Sequence, residues 1–219
     1  MLDIVIATRN QHKFHELKQL LKMSGIRWHS LAQFSHVPSV EENGRTFDAN
    51  AVKKARAVAR ATGYFAIADD SGVEVEALGG LPGVRSARFA GIHGDDEVNN
   101  AQLLRLLERL PPRQRRARYV CSLSLASPAH PVALTHGTWS GQIATRSRGN
   151  RGFGYDPIFF ISRLGQTVAQ LPTSTKQRLS HRARAARKLR QVLNRLVRQS
   201  TAVGRVRRGV AAAHPAKIR

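Results

Sequence analysis

The chain has 219 residues, 42% of them apolar, and a formal net charge of +22 from 36 Lys and Arg against 14 Asp and Glu. That length holds one sizeable core and two lobes at most, not several domains, and no run of about 18 apolar residues marks a membrane span. The start, Met1-Leu2-Asp3, has an early acid and no basic leader, so no signal peptide is expected, and the single cysteine, Cys121, excludes an internal disulfide framework and fits a reducing cytoplasm. The charge is unevenly placed: no Asp or Glu follows Asp156, while Arg and Lys recur from Lys176 to Arg219. Two readings stand, a solvated basic helix face and tail, or a surface for an anionic partner such as nucleic acid.

Residues 2–7 read as a buried strand. A polar loop, Thr8-Arg9-Asn10-Gln11-His12-Lys13, then leads into a helix marked by Phe14, Leu17, Leu20 and Leu21. Amides at that helix start, with Thr8, Asn10 and Lys13 nearby, form a candidate phosphate cradle, although Asn10 also serves as a plain N-cap. Gly25 ends the helix and residues 26–30 read as a short strand. A turn-rich stretch with Glu41-Glu42 follows, then a helix over residues 47–61 in which Asn50 and Lys54, four apart, share one side.

The next stretch organises the rest: Ala66-Ile67-Ala68-Asp69-Asp70-Ser71-Gly72. A short apolar run reads as a buried strand, which puts two carboxylates at its C-terminal end, where open α/β sheets place ligands. Strand neighbours face opposite ways, so one carboxylate is expected to face a cleft and the other to be held by backbone donors. Asp-Asp-Ser-Gly also reads as a turn. Residues 71–78 alternate as a further strand, and Gly79-Gly80-Leu81-Pro82-Gly83 is a tight loop.

An amphipathic helix over residues 97–110 stops at Pro111-Pro112. Residues 118–125 and 132–139 read as a β-hairpin and residues 141–144 as a short strand. Cys121 lies in that alternating run, as a buried structural thiol. In Gly152-Phe153-Gly154-Tyr155-Asp156-Pro157, glycines alternate with rings, so either aromatic could stack on a flat ligand or plug the core. Lys176 precedes Ser180-His181-Arg182, which opens a helix running to about Val197. Residues 199–219 are read as a basic, disordered tail, leaving residues 1–198 as the folded domain.

Together, Glu42 and Asp70 are hard oxygen ligands suited to Mg²⁺. Thr8, Asn10, Lys13, Lys54 and Lys176 suit a polyphosphate. Phe153 offers a stacking face, and Asp156, His181 and Arg182 suit a base edge. A metal nucleotide uses all of them.

Six blocks in order carry a resemblance: Ile6-Ala7-Thr8-Arg9-Asn10-x-x-Lys13-x-x-Glu16-Leu17, Thr46-Phe47-x-x-Asn50-Ala51-x-x-Lys54-Ala55, Ala68-Asp69-Asp70-Ser71-Gly72, residues 78–88 from Leu78-Gly79-Gly80 to Ser86-Ala87-Arg88, Gly152 to Pro157, and Ser180-His181-Arg182. The chain resembles the inosine triphosphate pyrophosphatase family, the house-cleaning XTP/dITP diphosphatases. The resemblance implies an elongated α/β fold with a mixed sheet flanked by helices, two lobes and a cleft. It implies a homodimer that hydrolyses ITP, dITP and XTP to the monophosphate and pyrophosphate with Mg²⁺. It also implies Asp70 as general base and Glu42 with Asp70 as the metal site. Implied substrate contacts are Thr8, Arg9, Asn10, Gln11, His12, Lys13, Lys54, Ser71, Phe153, Gly154, Tyr155, Asp156, Lys176, His181 and Arg182. The chain departs from the pattern at Arg9, Asn150-Arg151, Gln170 and Thr175, where the family more often has small, amide, glycine or acidic residues.

Overall fold

The computed structural model describes residues 1–92 and 94–211, the last eleven by their backbone. Seven strands form one mixed sheet in the order β2-β1-β3-β4-β5-β6-β7. They are β1 (Leu2–Ile6), β2 (Ile26–Ser30), β3 (Phe65–Val75), β4 (Arg116–Ala126), β5 (Pro131–Ile143), β6 (Phe159–Ile161) and β7 (Gln166–Thr167). The helices are α1 (Gln11–Leu20), α2 (Phe47–Thr62), α3 (Asp96–Leu106), α4 (Thr173–Leu179) and α5 (His181–Ala211). The α/β architecture is the one expected from alternating apolar runs and helical periods.

The sheet changes character along β3. Its first residues pair in parallel with β1, Ile4 to Ile6 against Phe65 to Ile67. β1 then leaves the sheet, and beyond Ile67 only β4 remains, antiparallel from Ala66 to Val75. Asp69 and Asp70 therefore lie mid-strand rather than at a strand end. They still lie just past the carboxyl end of the parallel pair, where the departing β1 opens a crevice. The turn reading is corrected by Gly72. A Cβ there would strike the Ser86 hydroxyl and the Gly83 carbonyl, and the Ser86 hydroxyl in turn accepts from the Val73 amide at 2.9 Å. The glycine serves close packing by the short 3-10 helix over Gly83–Arg88, not a bend.

Alternation along β3 feeds two cores. Ile67 joins Cys121, Leu123 and Leu125 of β4 beneath Leu17 of α1, Leu21 at its C-cap and Ala185, Leu189 and Leu193 of α5. Ala66 and Ala68 face the other way, against Ala55, Val58 and Ala59 of α2. A third core, with Tyr119, Trp139, Phe159 and Leu103, supports the far end of the sheet. Each large aliphatic side chain buried here contributes about 1.5–3 kcal/mol.

Caps set the helix starts. Asn10 caps α1 through Lys13 N at 3.0 Å, and Thr46 caps α2 through Ala49 N at 3.1 Å. Gly137 sets how closely α5 meets β5: a Cβ there would strike the His181 carbonyl and the Ala185 amide. This contact brings the first turn of α5 under the sheet.

Several boundaries differ from the sequence reading. Residues 71–75 continue β3 rather than begin a further strand, and Glu76–Leu78 form a 3-10 turn. The helix expected over residues 97–110 ends at Leu106. The segment over residues 141–144 is the end of β5, not a separate strand. Helix α5 continues to Ala211, past the end of its apolar period near Val197. Lost periodicity means a lost packing face, while extending an existing helix is far easier than nucleating one. The part of the expected tail over residues 212–219 lies outside the described residues.

Candidate active site

The crevice beside β3 is a cavity of about 510 Å³ lined by Thr8, Arg9, Asn10, Lys13, Glu42, Lys54, Asp69, Asp70, Ser71 and Arg88. Six elements supply these groups: the β1–α1 loop, the first turn of α1, the loop before α2, α2 itself, mid-β3 and the 3-10 helix over Gly83–Arg88. Of the expected site residues, this cavity gathers Thr8, Arg9, Asn10, Lys13, Glu42, Lys54, Asp70 and Ser71.

The two carboxylates differ sharply. Asp69 faces α1 and α5. It accepts from Arg182 at 3.0 Å (Nη2) and 3.2 Å (Nε), from the Ser71 hydroxyl at 3.1 Å and from the Cys121 thiol at 3.3 Å. The Lys13 ammonium lies 3.2 Å away. Burial alone would raise its pKa, but the charges of Arg182, Lys13 and Lys54 outweigh this and hold it well below the usual range. The sequence reading expected backbone donors to hold one acid; cationic side chains hold it instead.

Asp70 faces α2. Asn50 Nδ2 donates to its Oδ2 at 2.9 Å, and Ser71 N donates to its Oδ1 at 3.1 Å. Lys54 lies 4.0 Å from Asp70, 2.9 Å from Glu42 and 2.6 Å from the Asp69 carbonyl oxygen. Burial, reinforced by the Glu42 charge and opposed by Lys54, Lys13 and Asn50, raises Asp70 to about 6. A carboxyl poised near neutrality can exchange a proton with water at working pH.

The groups present fit a hard divalent cation. Glu42 and Asp70 bracket one ammonium, which marks a position where positive charge is favoured. Two carboxylates plus phosphate oxygens and waters are the usual Mg²⁺ environment. Among the described residues no cluster of three His, Cys, Asp or Glu could cage a metal unaided.

A second hollow of about 230 Å³, on the other side of α1, is lined by His12, Glu16, Arg151, Gly152, Phe153 and Lys176. The Phe153 ring stacks on His12, 5.4 Å between centroids and 14° from parallel, and Lys176 Nζ lies 4.5 Å from its centroid. Beneath it, Asp156 is buried and accepts from Lys176 at 2.5 Å, Phe153 N at 3.1 Å and the Tyr119 hydroxyl at 3.1 Å. Burial raises its pKa, with Lys176 opposing. Gly152, at φ +80°, leaves the space this carboxylate fills. Gly154 N donates to Asp96 at 2.6 Å, and its carbonyl accepts from Asn100 at 3.0 Å.

Four expected contacts take other positions or roles. Tyr155 is buried in the core with its hydroxyl donating to Ser86 O at 2.9 Å, which leaves Phe153 as the stacking ring. Arg182 commits Nε and Nη2 to Asp69, Nη2 also to Ser71 at 2.8 Å and Nη1 to Glu16 at 2.8 Å. It thus positions the acids and lies 5.6 Å from the Phe153 ring centre rather than standing open to a base edge. Gln11 is exposed at the start of α1. His181 is buried, stacked 4.5 Å from Tyr119, and its Nδ1 has no partner among the described residues. Burial, with Arg182 and Lys176 adding, keeps it neutral.

Glu16, Asn50 and Arg88 were not singled out as site residues. Their signals were spacing: Glu16 follows Lys13 by three and Asn50 precedes Lys54 by four, each placing two side chains on one helix face. Arg88, which donates to Glu42 O at 3.0 Å, closed the fourth motif block, but no spacing tied it to the site.

A mixed α/β sheet whose open crevice holds one neutralised and one poised carboxylate among lysines defines a hydrolytic site for a polyanion. Family comparison places it further: residues 4–192 match the Ham1 family, and the chain belongs to that family. A dITP/XTP pyrophosphatase of Desulforamulus reducens is 46% identical over 195 residues, covering 89% of this chain and 97% of that protein. One of Geobacillus kaustophilus is 47% identical, covering 86% and 93%. The solved HAM1 protein of Coxiella burnetii superposes with a TM-score of 0.81 at 40% identity, covering 89% of this chain and all of that one.

Proposed function

We propose that this protein is a Mg²⁺-dependent pyrophosphatase of non-canonical purine nucleoside triphosphates, ITP, dITP and XTP. The observation that carries this is Asp70, raised to about 6 beside Glu42 and Lys54 in a crevice that also presents Lys13, Thr8 and Asn10. The curated relatives named dITP/XTP pyrophosphatases support the substrate class.

Glu42 and Asp70 would hold Mg²⁺ with the phosphates, where it polarises phosphate oxygens and offsets charge in the transition state. Asp70 orients a water and takes its proton. The water oxygen bonds to the α-phosphorus, the bond from that phosphorus to the bridging oxygen breaks, and pyrophosphate leaves with the electron pair. Lys13, Lys54 and the amides at the start of α1 bind the phosphates. The purine stacks on Phe153 after His12 moves aside. Lys176, which lines the Phe153 hollow, would meet the oxygen-bearing edge, and a donor left unpaired against adenine would reject it by roughly 10⁴-fold.

The presence of a single cysteine, Cys121, supports a reducing cytoplasm as the compartment, and no described helix is long and apolar enough to cross a membrane. The family resemblance supports a homodimer; a monomer alone in sedimentation would overturn that part. The test of function is pyrophosphate release with Mg²⁺ from ITP, XTP, GTP and ATP by wild type and Asp70→Asn. Release confined to ITP and XTP and abolished in the variant is expected. Equal turnover of all four would sink the base reading, and no turnover would sink the hydrolase.

A further inference from the structure

The first turn of α5 serves the candidate active site from one side, while its opposite side is exposed. There His136, Gly137, Thr138, Arg184, Arg187, Lys188 and Gln191 line a hollow of about 550 Å³ between α5 and β5. It shares no lining residue with the two hollows of the active site.

Three cations frame this hollow, and each is held by a neutral carbonyl. Arg184 Nε donates to Leu179 O at 3.1 Å, Arg187 Nη1 to Arg178 O at 2.8 Å and Lys188 Nζ to His136 O at 2.8 Å. These bonds orient the side chains without cancelling their charge. No carboxylate pairs with any of the three among the described residues. The nearby Asp48 is engaged by His136 and Ser122, at 2.8 and 2.6 Å. The stripe continues along the exposed side of α5 through Arg195 and Arg198, at the period that keeps 184, 187, 188, 191, 195 and 198 together. It spans about 21 Å, or roughly six nucleotide steps of one strand. Since no acid follows Asp156, helix α5 offsets none of this charge itself.

We propose that this groove and stripe form a second binding site, for the phosphodiester backbone of nucleic acid, independent of base sequence. The chemistry favours that polyanion over other acidic partners. Four of the five stripe cations are arginines, whose planar forks match phosphate oxygens in pairs. A protein partner wants a buried aromatic or aliphatic anchor at the centre of its contact, and the hollow offers none. A membrane-surface helix needs apolar side chains to insert beside its cations, and this exposed side of α5 lacks them.

The test is fluorescence anisotropy of a fluorescein-labelled 20-nucleotide single strand, and of the matching duplex, with the full-length protein across a salt series. The triple variant Arg184→Ala/Arg187→Ala/Lys188→Ala is set against a charge-matched control at exposed arginines elsewhere, Arg105→Ala/Arg109→Ala/Arg113→Ala. Expected is at least roughly tenfold weaker binding by the groove variant alone, with the log–log salt slope reduced by two to three. Turnover of nucleoside triphosphate and the melting temperature should stay at wild-type values. Equal loss in both variants would reduce the effect to net charge and overturn the site. So would no binding at about 50 mM salt, or tighter binding to anionic vesicles than to either oligonucleotide.

Discussion

The two faces of β3, one residue apart, solve opposite problems. On the α1/α5 face Asp69 is buried against Arg182, Lys13 and Ser71, and its charge is fixed. On the α2 face Asp70 is also buried, yet its partners are an amide side chain, a backbone amide and a lysine shared with Glu42, and it titrates near 6. Burial is similar on both sides; the number and closeness of cations differ. A strand can therefore carry a structural acid and a reactive acid side by side, because the pleat delivers them to separate environments.

The strongest way to break this contrast is to strip Asp69 of its counter-charge. Arg182→Ala leaves a carboxylate buried beside a lost partner and should cost about 3–5 kcal/mol, read by chemical unfolding. Arg182→Lys should recover only part of that loss, since one ammonium cannot reach Asp69 and Glu16 together. Stability unchanged in Arg182→Ala would show that the two faces are not held differently.

Next comes chemistry on the other face. Asp70→Asn should lower pyrophosphate release by roughly 10²–10⁴-fold while the fold persists. The folded-state pKa of Asp70 is raised, so the fold favours its protonated form. That stabilising contribution is complete below about 4 and lost as pH rises through about 6. Asp70→Asn should therefore melt higher than wild type at pH 8 and lose that advantage near pH 4. With Mg²⁺ held beside Asp70 its carboxylate form is favoured further, so the acidic limb of wild-type turnover should lie below about 6 when phosphate binding is saturated.

A sharper probe is Asn50→Ala. It removes a donor to ionised Asp70, so the acidic limb of the rate profile should move to higher pH by up to about one unit. A shift to lower pH would contradict the geometry. The smallest expected effect is Cys121→Ser, which keeps a donor to Asp69 and should change turnover less than about threefold.

Much of this contrast was legible in the chain. The apolar run before Asp69-Asp70 marked the strand, and its period of two predicted that the acids would part company. The helix spacing of Asn50 and Lys54 pointed to one shared side. Unread were features set by remote packing. Ser71-Gly72 carries turn chemistry locally, and only the approach of Ser86 explains a glycine inside a strand. Arg182 was expected at a base edge because nothing near it in sequence shows that Glu16 and Asp69 would claim it. Tyr155 and Phe153 are equivalent in the motif; only the core beneath the loop separates a buried ring from an available one.

The bond between Arg182 and Glu16 joins positions 166 residues apart, with Asp69 in the same network. On the ribosome this has a direct result. A nascent chain that has yet to emerge through α5 holds Asp69 and Glu16 without the guanidinium that joins them. Nucleotide binding by the growing chain must wait for almost the last residues of the domain. A product cut short before Arg182 would be caught as an incompletely folded protein rather than persist as a slow enzyme.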